Sequence, residues 1–308
     1  MVWRNTFSVL ALVLAGCDLD TLETAGVTEE FRQEFAMKPG GRLSVDNQNG
    51  SVEVTGWDRD RIEIEGTKFA SDKAALAELK VDIRDTGGSF EVRTLRPAAW
   101  TRHSRGGVRY RIHVPRKTRL DRFGSTNGSL RAGAIDEQVK MRTTNGSIVL
   151  SQVNGDADLG TTNGKVELRD LSGDAVVHTT NGDIVASGVK GRVDASTTNG
   201  GIEVSAVELG NGASSRLHTT NGGIRLTVDS FRGGDIDADT TNGAIKLRIP
   251  AGVNADLRAS TTSAKIHTDF PVQHLIESKG RRLDAKLGSG GPRIGLRTSN
   301  GSIHIEKH

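Results

Sequence analysis

The dipeptide Asn-Gly recurs along this chain at nearly constant spacing, and no other feature restricts the possible folds so strongly. The repeated asparagines are Asn127, Asn145, Asn163, Asn181, Asn199, Asn221, Asn242 and Asn300. The first five lie 18 residues apart, and the next two intervals are 22 and 21 residues. An isolated copy precedes them at Asn49-Gly50, and a degenerate copy places Ser263 at the asparagine position. A period near 20 residues indicates a repeat protein whose units stack on their neighbours.

Apolar residues occupy fixed positions around each repeated asparagine. Around Asn145 these are Met141 four residues before it, Ile148 three after it and Leu150 five after it. From this copy onward a threonine, here Thr143, stands two residues before the asparagine. These positions alternate with polar ones, which is the pattern of strands with one buried face. Each repeat is therefore predicted to be a strand, an Asn-Gly turn, a second strand and a second turn.

Both predicted turns contain residues that tolerate a positive φ, since asparagine and glycine adopt that conformation more readily than other residues. The glycines of the second turn are Gly155, Gly173 and Gly191. Two architectures fit a two-strand repeat: an antiparallel meander with Asn-Gly hairpins, or a parallel solenoid with one coil per repeat. A flat meander would need a second layer over its apolar face, and the sequence offers none. We therefore predict an all-β fold, a parallel β-solenoid in which stacked threonines and asparagines bond from coil to coil.

Residues 35–120 have a less regular pattern and are predicted to be an N-terminal β section with one short helix. The helix is expected across Asp72 to Lys80 with Ser71 as its cap. Strands are expected at Val81 to Arg84, Phe90 to Thr94 and Val108 to Val114. This section is either a wider beginning of the same solenoid or a small β-domain docked on it. Residues 121–308 form the repeat solenoid, whose last strand, Ile303 to Glu306, is expected to leave a free edge.

The first residues have the features of an export signal. Arg4 precedes a short apolar stretch, and the segment Leu14-Ala15-Gly16-Cys17 resembles a bacterial lipobox. The resemblance implies that residues 1–16 are a signal peptide and that Cys17, the only cysteine, is acylated and becomes the mature N-terminus. Residues 17–34 are acidic and without periodicity, and are predicted to be a tether. The expected location is the cell envelope, on the periplasmic side of either membrane or at the cell surface.

The sequence also resembles a known bacterial family. The run from Asn47 to Asp58, the segment Val108 to Pro115 and the serial Asn-Gly-x-Ile copies are similar to the "putative adhesin" domain of unknown function. The resemblance covers nearly all of the chain after Cys17. It implies a β-solenoid on the cell envelope, often anchored by lipid or membrane segments, and it brings no catalytic residues.

Basic residues are concentrated between Arg93 and Arg122, where Asp121 is the only acid. The residues expected to contact a ligand are Arg96, Trp100, Arg102, Arg105, Arg109 and Arg111. An exposed basic loop with an aromatic side chain, on a tethered protein, is predicted to bind anionic lipid, lipopolysaccharide or acidic glycan, unless it is simply a solvated hairpin. An envelope protein is a further candidate partner. A net charge of only +3 and the export signal both argue against nucleic acid.

Carboxylates and histidines elsewhere give weaker signals. Asp235, Asp237 and Asp239 alternate along one predicted strand, so their side chains share a face about 7 Å apart. Asp194 and Asp256 are expected in neighbouring columns, and such a group is one way to build a polysaccharide lyase or hydrolase. His178 and His218 share a column but are separated by one coil, too far for easy shared metal ligation. No cofactor, metal or catalytic constellation is predicted.

The outward positions seven and five residues before each asparagine change charge from coil to coil, so they carry no repeated binding pattern. We therefore predict a non-catalytic protein for adhesion, scaffolding or partner binding. Two alternatives stay open: an envelope polysaccharide lyase or hydrolase that uses the aspartates, and a regulatory lipoprotein in envelope-stress signalling.

Overall fold

All described strands belong to one of two 13-stranded sheets. The computed structural model describes residues 26–96, 106–209, 212, 214–231, 233–271 and 280–308. The first sheet, sheet A, contains β1 (Val27–Ala36), β3 (Val52–Trp57), β4 (Arg61–Ala70), β7 (Gly106–Pro115), β9 (Leu130–Ile135), β11 (Ile148–Val153), β13 (Val166–Leu171), β15 (Ile184–Lys190), β17 (Ile202–Leu209), β19 (Ile224–Phe231), β21 (Ile245–Ile249), β23 (Ile266–Thr268) and β26 (Ile303–Lys307). The second, sheet B, contains β2 (Arg42–Asn49), β5 (Lys80–Asp85), β6 (Ser89–Leu95), β8 (Arg119–Asn127), β10 (Val139–Asn145), β12 (Ala157–Gly160), β14 (Ala175–His178), β16 (Val193–Asn199), β18 (Ser215–Asn221), β20 (Ile236–Asn242), β22 (Ala255–Thr261), β24 (Arg282–Leu287) and β25 (Arg293–Thr298).

Each repeat forms one coil, with a strand in sheet B before the asparagine and a strand in sheet A after it. Successive coils pair in parallel and in register, so that Val139 lies beside Ala157 in sheet B and Ile148 beside Val166 in sheet A. The predicted parallel solenoid is confirmed, and the antiparallel meander is wrong for the repeats. The described residues include eleven such parallel coils, and at a strand spacing of about 4.8 Å they make a rod about 50 Å long.

The order of coils in space departs from the order along the chain at both ends. The coil of β2 and β3 lies between the coil of β6 and β7 and the coil of β8 and β9. At the other end, the coil of β25 and β26 lies between that of β20 and β21 and that of β22 and β23. The last strand therefore has a partner on each side, β21 and β23. The prediction that Ile303 to Glu306 leaves a free edge is wrong.

Antiparallel strands close the solenoid at each end. In sheet A, β7 is followed by β4 and then β1, and in sheet B, β5 covers β6. At the far end β24 covers β22. Because β1 pairs with β4 along its whole length from Val27 to Ala36, the tether predicted to extend through residue 34 is wrong for its C-terminal part. The remaining tether and signal-peptide residues, 1–25, lie outside the described residues.

One continuous apolar core runs between the two sheets. The predicted inward columns are buried, as Met141, Ile148 and Leu150 show with no exposed surface. Ile266 and Thr268 are only half-buried because β23 is the last strand of sheet A. The N-terminal coils are wider and take aromatic rings, among them the fully buried Phe90 and Phe123. Strands of the N-terminal section share both sheets and this core with the repeats.

The single described helix, α1 (Lys73–Glu78), is shorter than predicted. It begins at Asp72, whose carboxylate accepts a hydrogen bond from the backbone N–H of Ala75 at 2.8 Å. The predicted cap, Ser71, instead donates its hydroxyl to the Asp72 carboxylate. The helix therefore starts one residue later than the sequence suggested.

The glycine of Asn-Gly is required by close packing between coils. A Cβ atom on Gly164 would lie 2.1 Å from the carbonyl oxygen of Gly146 and 2.6 Å from its carbon. Glycines at this position from Gly128 to Gly301 repeat the same contact, and Gly164 itself does not have a left-handed φ. Gly50 does have a φ of 115°, but positive φ is not what the repeated turns share. Glycine is needed there because the backbone of one coil fills the space that a side chain would occupy.

A left-handed column does exist, but at a place that the sequence analysis missed. Ala134, Gln152 and Asp170 have φ near +55° and lie at equivalent positions in three successive coils, and Gly188 continues the column at φ 68°. Each of these residues forms a β-bulge, and the residue that follows it points into the core. In the second of these coils Gln152 is the bulged residue and Val153 is the buried one. Only the fourth member is glycine, so composition gives no signal here.

We expect Gly164→Ala to destabilise the protein by about 3 kcal/mol or more, because the new methyl group would overlap backbone atoms that cannot move independently. The matched control is Gly252→Ala, where nothing lies within 4 Å of the added Cβ and φ is not left-handed. Urea denaturation of both variants measures the difference. Equal unfolding midpoints would contradict the close-packing explanation.

Candidate functional site

The asparagines of the repeats form a ladder along one corner of the solenoid. In each coil the Asn Nδ2 donates a hydrogen bond to the Oδ1 of the asparagine in the neighbouring coil, at 2.7–2.9 Å. The ladder starts at Asn49 and continues without a break to Asn300. At the far end of the ladder, Asn300 donates to Asn242, and the Ser263 hydroxyl donates to Asn300. The coil that contains Asn300 therefore lies between the coils of Asn242 and Ser263. Uncharged amides can stack in this way because each carries both a donor and an acceptor.

The buried threonine two residues before each asparagine bonds from coil to coil, as predicted. Its hydroxyl donates to the carbonyl oxygen of the Asn-Gly glycine in the neighbouring coil, as Thr179 does to Gly164 at 3.1 Å. Thr143, Thr161, Thr197, Thr219, Thr240, Thr261 and Thr298 make the equivalent bond. The acceptor is a backbone carbonyl inside the corner, which the sequence did not specify.

The threonine directly before each asparagine points outward and repeats as regularly as the core. This column consists of Thr126, Thr144, Thr162, Thr180, Thr198, Thr220, Thr241, Ser299 and Thr262 in spatial order. Thr180 is exposed, and its hydroxyl makes no hydrogen bond to another described residue. The outward positions seven and five residues before each asparagine do not repeat, as predicted. The outward threonine at the Asn-Gly corner does repeat, and the sequence analysis missed it.

Two described residues that flank the predicted basic loop belong to the coil of β6 and β7, the parallel coil nearest the N-terminal end of the solenoid. Trp100, Arg102 and Arg105 fall outside the described residues. The segment they belong to is flanked by Arg96, which is exposed, and by Gly106, whose carbonyl oxygen accepts a hydrogen bond from Asn49 Nδ2 at 2.9 Å.

The described arginines of this basic run do not form one surface. Arg109 and Arg111 point outward from sheet A, whereas Arg93 and Arg119 belong to strands of sheet B. Acids outside the run pair with three of its arginines. Arg93 pairs with Glu91 of the same strand, Arg111 with Glu65 of β4 at 3.9 Å, and Arg116 with Asp136 at 3.1 Å. Hydrogen bonding and attraction from Arg116 hold the pKa of the Asp136 carboxyl below its usual range. The surface formed by this run therefore carries less net positive charge than residues 93–122 alone suggest.

A cavity of about 600 Å³ lies at the opposite end, on the outer face of sheet B. We call it the arginine cleft after five arginines that line it, Arg216, Arg258, Arg282, Arg293 and Arg297. They come from β18, β22, β24 and β25. Asp237, Asp239 and Asp284 also line the cleft, and Gly295 is the one glycine among its lining residues. The sequence analysis missed this group because the five arginines are spread over 82 positions of the chain and become neighbours only through the insertion of β25.

The predicted aspartate cluster is divided among cations in this cleft. Asp237 and Asp239 do share an outward face of β20. Asp237 pairs with Arg293 at 2.9 Å, and Asp239 faces His218 at 3.2 Å. Their side chains are 39% and 40% exposed, so neither carboxylate sits in an apolar pocket.

Two acids expected next to this cluster lie elsewhere. Because β25 is inserted between β20 and β22, Asp256 lies beside Arg293 and is one strand removed from the cluster. Asp194 lies beside Arg216. The strand order therefore alternates acids and arginines where the sequence suggested a group of carboxylates.

The two histidines considered for metal binding are separated as predicted. Ser196 lies between the strands of His178 and His218, and its hydroxyl contacts His178 Nδ1 at 2.6 Å. Within the ranges that the structure describes, no group of three or more His, Cys, Asp or Glu side chains could hold a metal ion. In the same ranges, no helix combines the length and apolar character that a bilayer crossing requires.

The architecture and the repeated corner define a parallel β-solenoid repeat protein. Residues 41–306 match the Toastrack DUF4097 family, and the chain belongs to that family of domains of unknown function. No curated protein is similar enough in sequence to match it.

Solved structures with similar topology share little sequence with this chain. A "putative adhesin" from Parabacteroides merdae is 12% identical, with a TM-score of 0.45, over 91% of this chain and 96% of its own. A "putative lipid binding protein" from Parabacteroides distasonis is 10% identical, with a TM-score of 0.43 and the same coverage. A "putative adhesin" from Bacteroides fragilis is 13% identical, with a TM-score of 0.39, over 91% and 97%. These similarities are too low to transfer a function.

We expect Thr179→Val to lower the free energy of unfolding by about 1–2 kcal/mol, because the buried Gly164 carbonyl would lose its hydroxyl donor while the side-chain shape stays the same. The control is Thr180→Val, the same change on the neighbouring exposed residue, which we expect to alter stability by less than about 0.5 kcal/mol. Chemical denaturation of the two variants compares them directly. Equal losses would show that the hydroxyl bond to the corner glycine contributes nothing specific.

Proposed function

We propose that this protein is a lipid-anchored, non-catalytic binding protein of the bacterial cell envelope, acting in adhesion. The observation that carries the proposal is the unbroken asparagine ladder over a continuous core, because it makes the solenoid a stiff rod. Such a rod holds surfaces at a fixed distance from the point of attachment. Surface charge that varies from coil to coil suits selective contacts at particular places.

The anchor is assigned to Cys17 from its lipobox-like context. Gly26, the first described residue, lies nine positions after Cys17, and nine extended residues span at most about 32 Å. Gly26 precedes β1, which closes the same end of the solenoid as the coil that carries Arg96. We call this the anchored end. A lipid on Cys17 would keep it near the membrane and leave the arginine cleft at the distal end.

Arg96 and Arg109, in the parallel coil nearest the anchored end, would then lie close to the bilayer surface. Anionic headgroups attract lysine and arginine near the surface by about 1 kcal/mol for each residue. Arg96 and Arg109 are exposed, and neither pairs with an acid among the described residues. Contact of these arginines with lipid phosphates would set the rod's orientation in addition to its attachment.

The hydrolase or lyase alternative is not favoured by the geometry of the aspartates. Acid–base catalysis by two carboxyls requires environments that hold one protonated and the other ionised. Asp237 and Asp239 each face a basic side chain and are both exposed, so their environments are similar. Incubation with acidic and neutral polysaccharides should therefore release no new reducing ends.

Replacing Cys17 with serine is expected to move the protein from the membrane fraction to the soluble fraction of the envelope, because no lipid can then be attached. Fractionation of cells that express Cys17→Ser and the unaltered chain, followed by immunoblotting, provides the measurement. A Cys17→Ser protein that still sediments with membranes after washing with 1 M salt would contradict the proposed anchor.

The proposed membrane contact is tested in the Cys17→Ser background, so that lipid does not mask it. The five substitutions Arg96→Ser, Arg102→Ser, Arg105→Ser, Arg109→Ser and Arg111→Ser are expected to weaken co-sedimentation with anionic vesicles at least about tenfold. The control removes the same charge from coils far from the anchored end. Its substitutions are Arg225→Ser, Lys246→Ser, Arg248→Ser, Arg281→Ser and Lys307→Ser. Equal vesicle binding by both variants would remove the basic segment as the contact.

A further inference from the structure

We infer that the arginine cleft is a binding site for an acidic oligosaccharide, held by arginine–carboxylate pairs and by hydrogen bonds to its hydroxyl groups. The inference rests on the proposed adhesion function and names a ligand class for it. The site is separate from the basic segment of the anchored end, since the two lie at opposite ends of the sheets.

The cleft exists because one outward position lacks a side chain. Across the strands, Asp237, Gly295 and Arg258 occupy the same outward position of β20, β25 and β22. A Cβ atom on Gly295 would lie 2.6 Å from Asp237 Oδ1, so a side chain there would displace the Asp237 carboxylate. The glycine leaves a depression between an acid and an arginine in an otherwise filled surface.

Two of the five arginines are free to take a ligand. Arg293 pairs with Asp237, and Arg258 and Arg282 lie 3.9 and 4.0 Å from Asp284. In contrast, Arg216 and Arg297 form no ion pair with any described residue. They come from β18 and β25, which are separated by β20, so their strands lie about 10 Å apart across the cleft. Guanidinium groups bind carboxylates through two parallel hydrogen bonds, which suits them to this ligand group.

The other lining groups favour a sugar over a lipid. Ala238, Ala259 and Leu296 are buried toward the core, so the floor of the cleft offers little apolar surface for an acyl chain. Asp237, Asp239 and Asp284 present carboxylates that can accept hydrogen bonds from the hydroxyl groups of a sugar. A ligand with both hydroxyl donors and a carboxylate matches the acids and the arginines together. A volume of about 600 Å³ is within the usual range for small ligands.

The test uses the full chain, purified in detergent, and isothermal titration calorimetry with a short oligogalacturonate. We expect measurable binding, no binding of a neutral dextran oligosaccharide of equal length, and at least tenfold weaker binding by the double variant Arg216→Ala/Arg297→Ala. The control variant Arg131→Ala/Lys190→Ala removes the same charge from exposed side chains without described ion pairs, and it should bind like the unaltered chain. Thermal unfolding of both variants checks that they are folded.

A second variant tests the cleft without changing its charge. Gly295→Gln fills the depression and is expected to weaken oligogalacturonate binding as strongly as removal of the two arginines. Failure of the unaltered chain to bind, equal affinity for dextran, or equal affinity of the double variant and its control would each overturn the inference. Vesicle co-sedimentation of the same preparations is measured separately, so that loss of the cleft and loss of the proposed membrane contact are told apart.

Discussion

Close contact between the backbones of adjacent coils at the Asn-Gly corner is the constraint on which the rest of the structure depends. Each glycine lies against the carbonyl group of the glycine in the next coil, and only a residue without a side chain permits this distance. The contact brings the asparagine amides within hydrogen-bonding distance of one another and brings the buried threonine hydroxyl to the glycine carbonyl. The buried threonine, the asparagine and the glycine of the motif thus all depend on the same close approach of adjacent coils, which explains why they recur together.

The sequence predicted the repeated part of the fold well because its information is local and periodic. The columns around Asn145 report which residues face inward, and burial of Met141 and Ile148 follows from that alternation. Turn chemistry was predicted less well, since glycine was explained by φ when the neighbouring coil imposes the requirement. The left-handed column at Ala134, Gln152 and Asp170 carries no compositional signal, because residues of three types adopt it.

Spatial order at the two ends could not be predicted in the same way. Intervals along the chain suggest that Ser263 follows Asn242, but Asn300 takes that place. Since every coil has nearly the same shape and the same bonding corner, sequence spacing alone does not determine which two coils are neighbours. The arginine cleft was missed for this reason: its residues come from strands whose adjacency is decided by the insertion. Arg293 in particular meets Asp237 only because β25 lies beside β20.

The insertion of the C-terminal coil also affects how the rod can come apart. In a solenoid built strictly in chain order, the final repeat covers nothing but its predecessor, and the structure can peel from that terminus one repeat at a time. Here the coil of β25 and β26 lies between two coils that precede it in the chain. The outermost strands at this end are β23 and β24, which come before β25 in the sequence. The coil of β25 and β26 therefore cannot leave the rod without breaking its pairing with strands on both sides. During synthesis, this end of the rod cannot close until β25 and β26 have emerged from the ribosome.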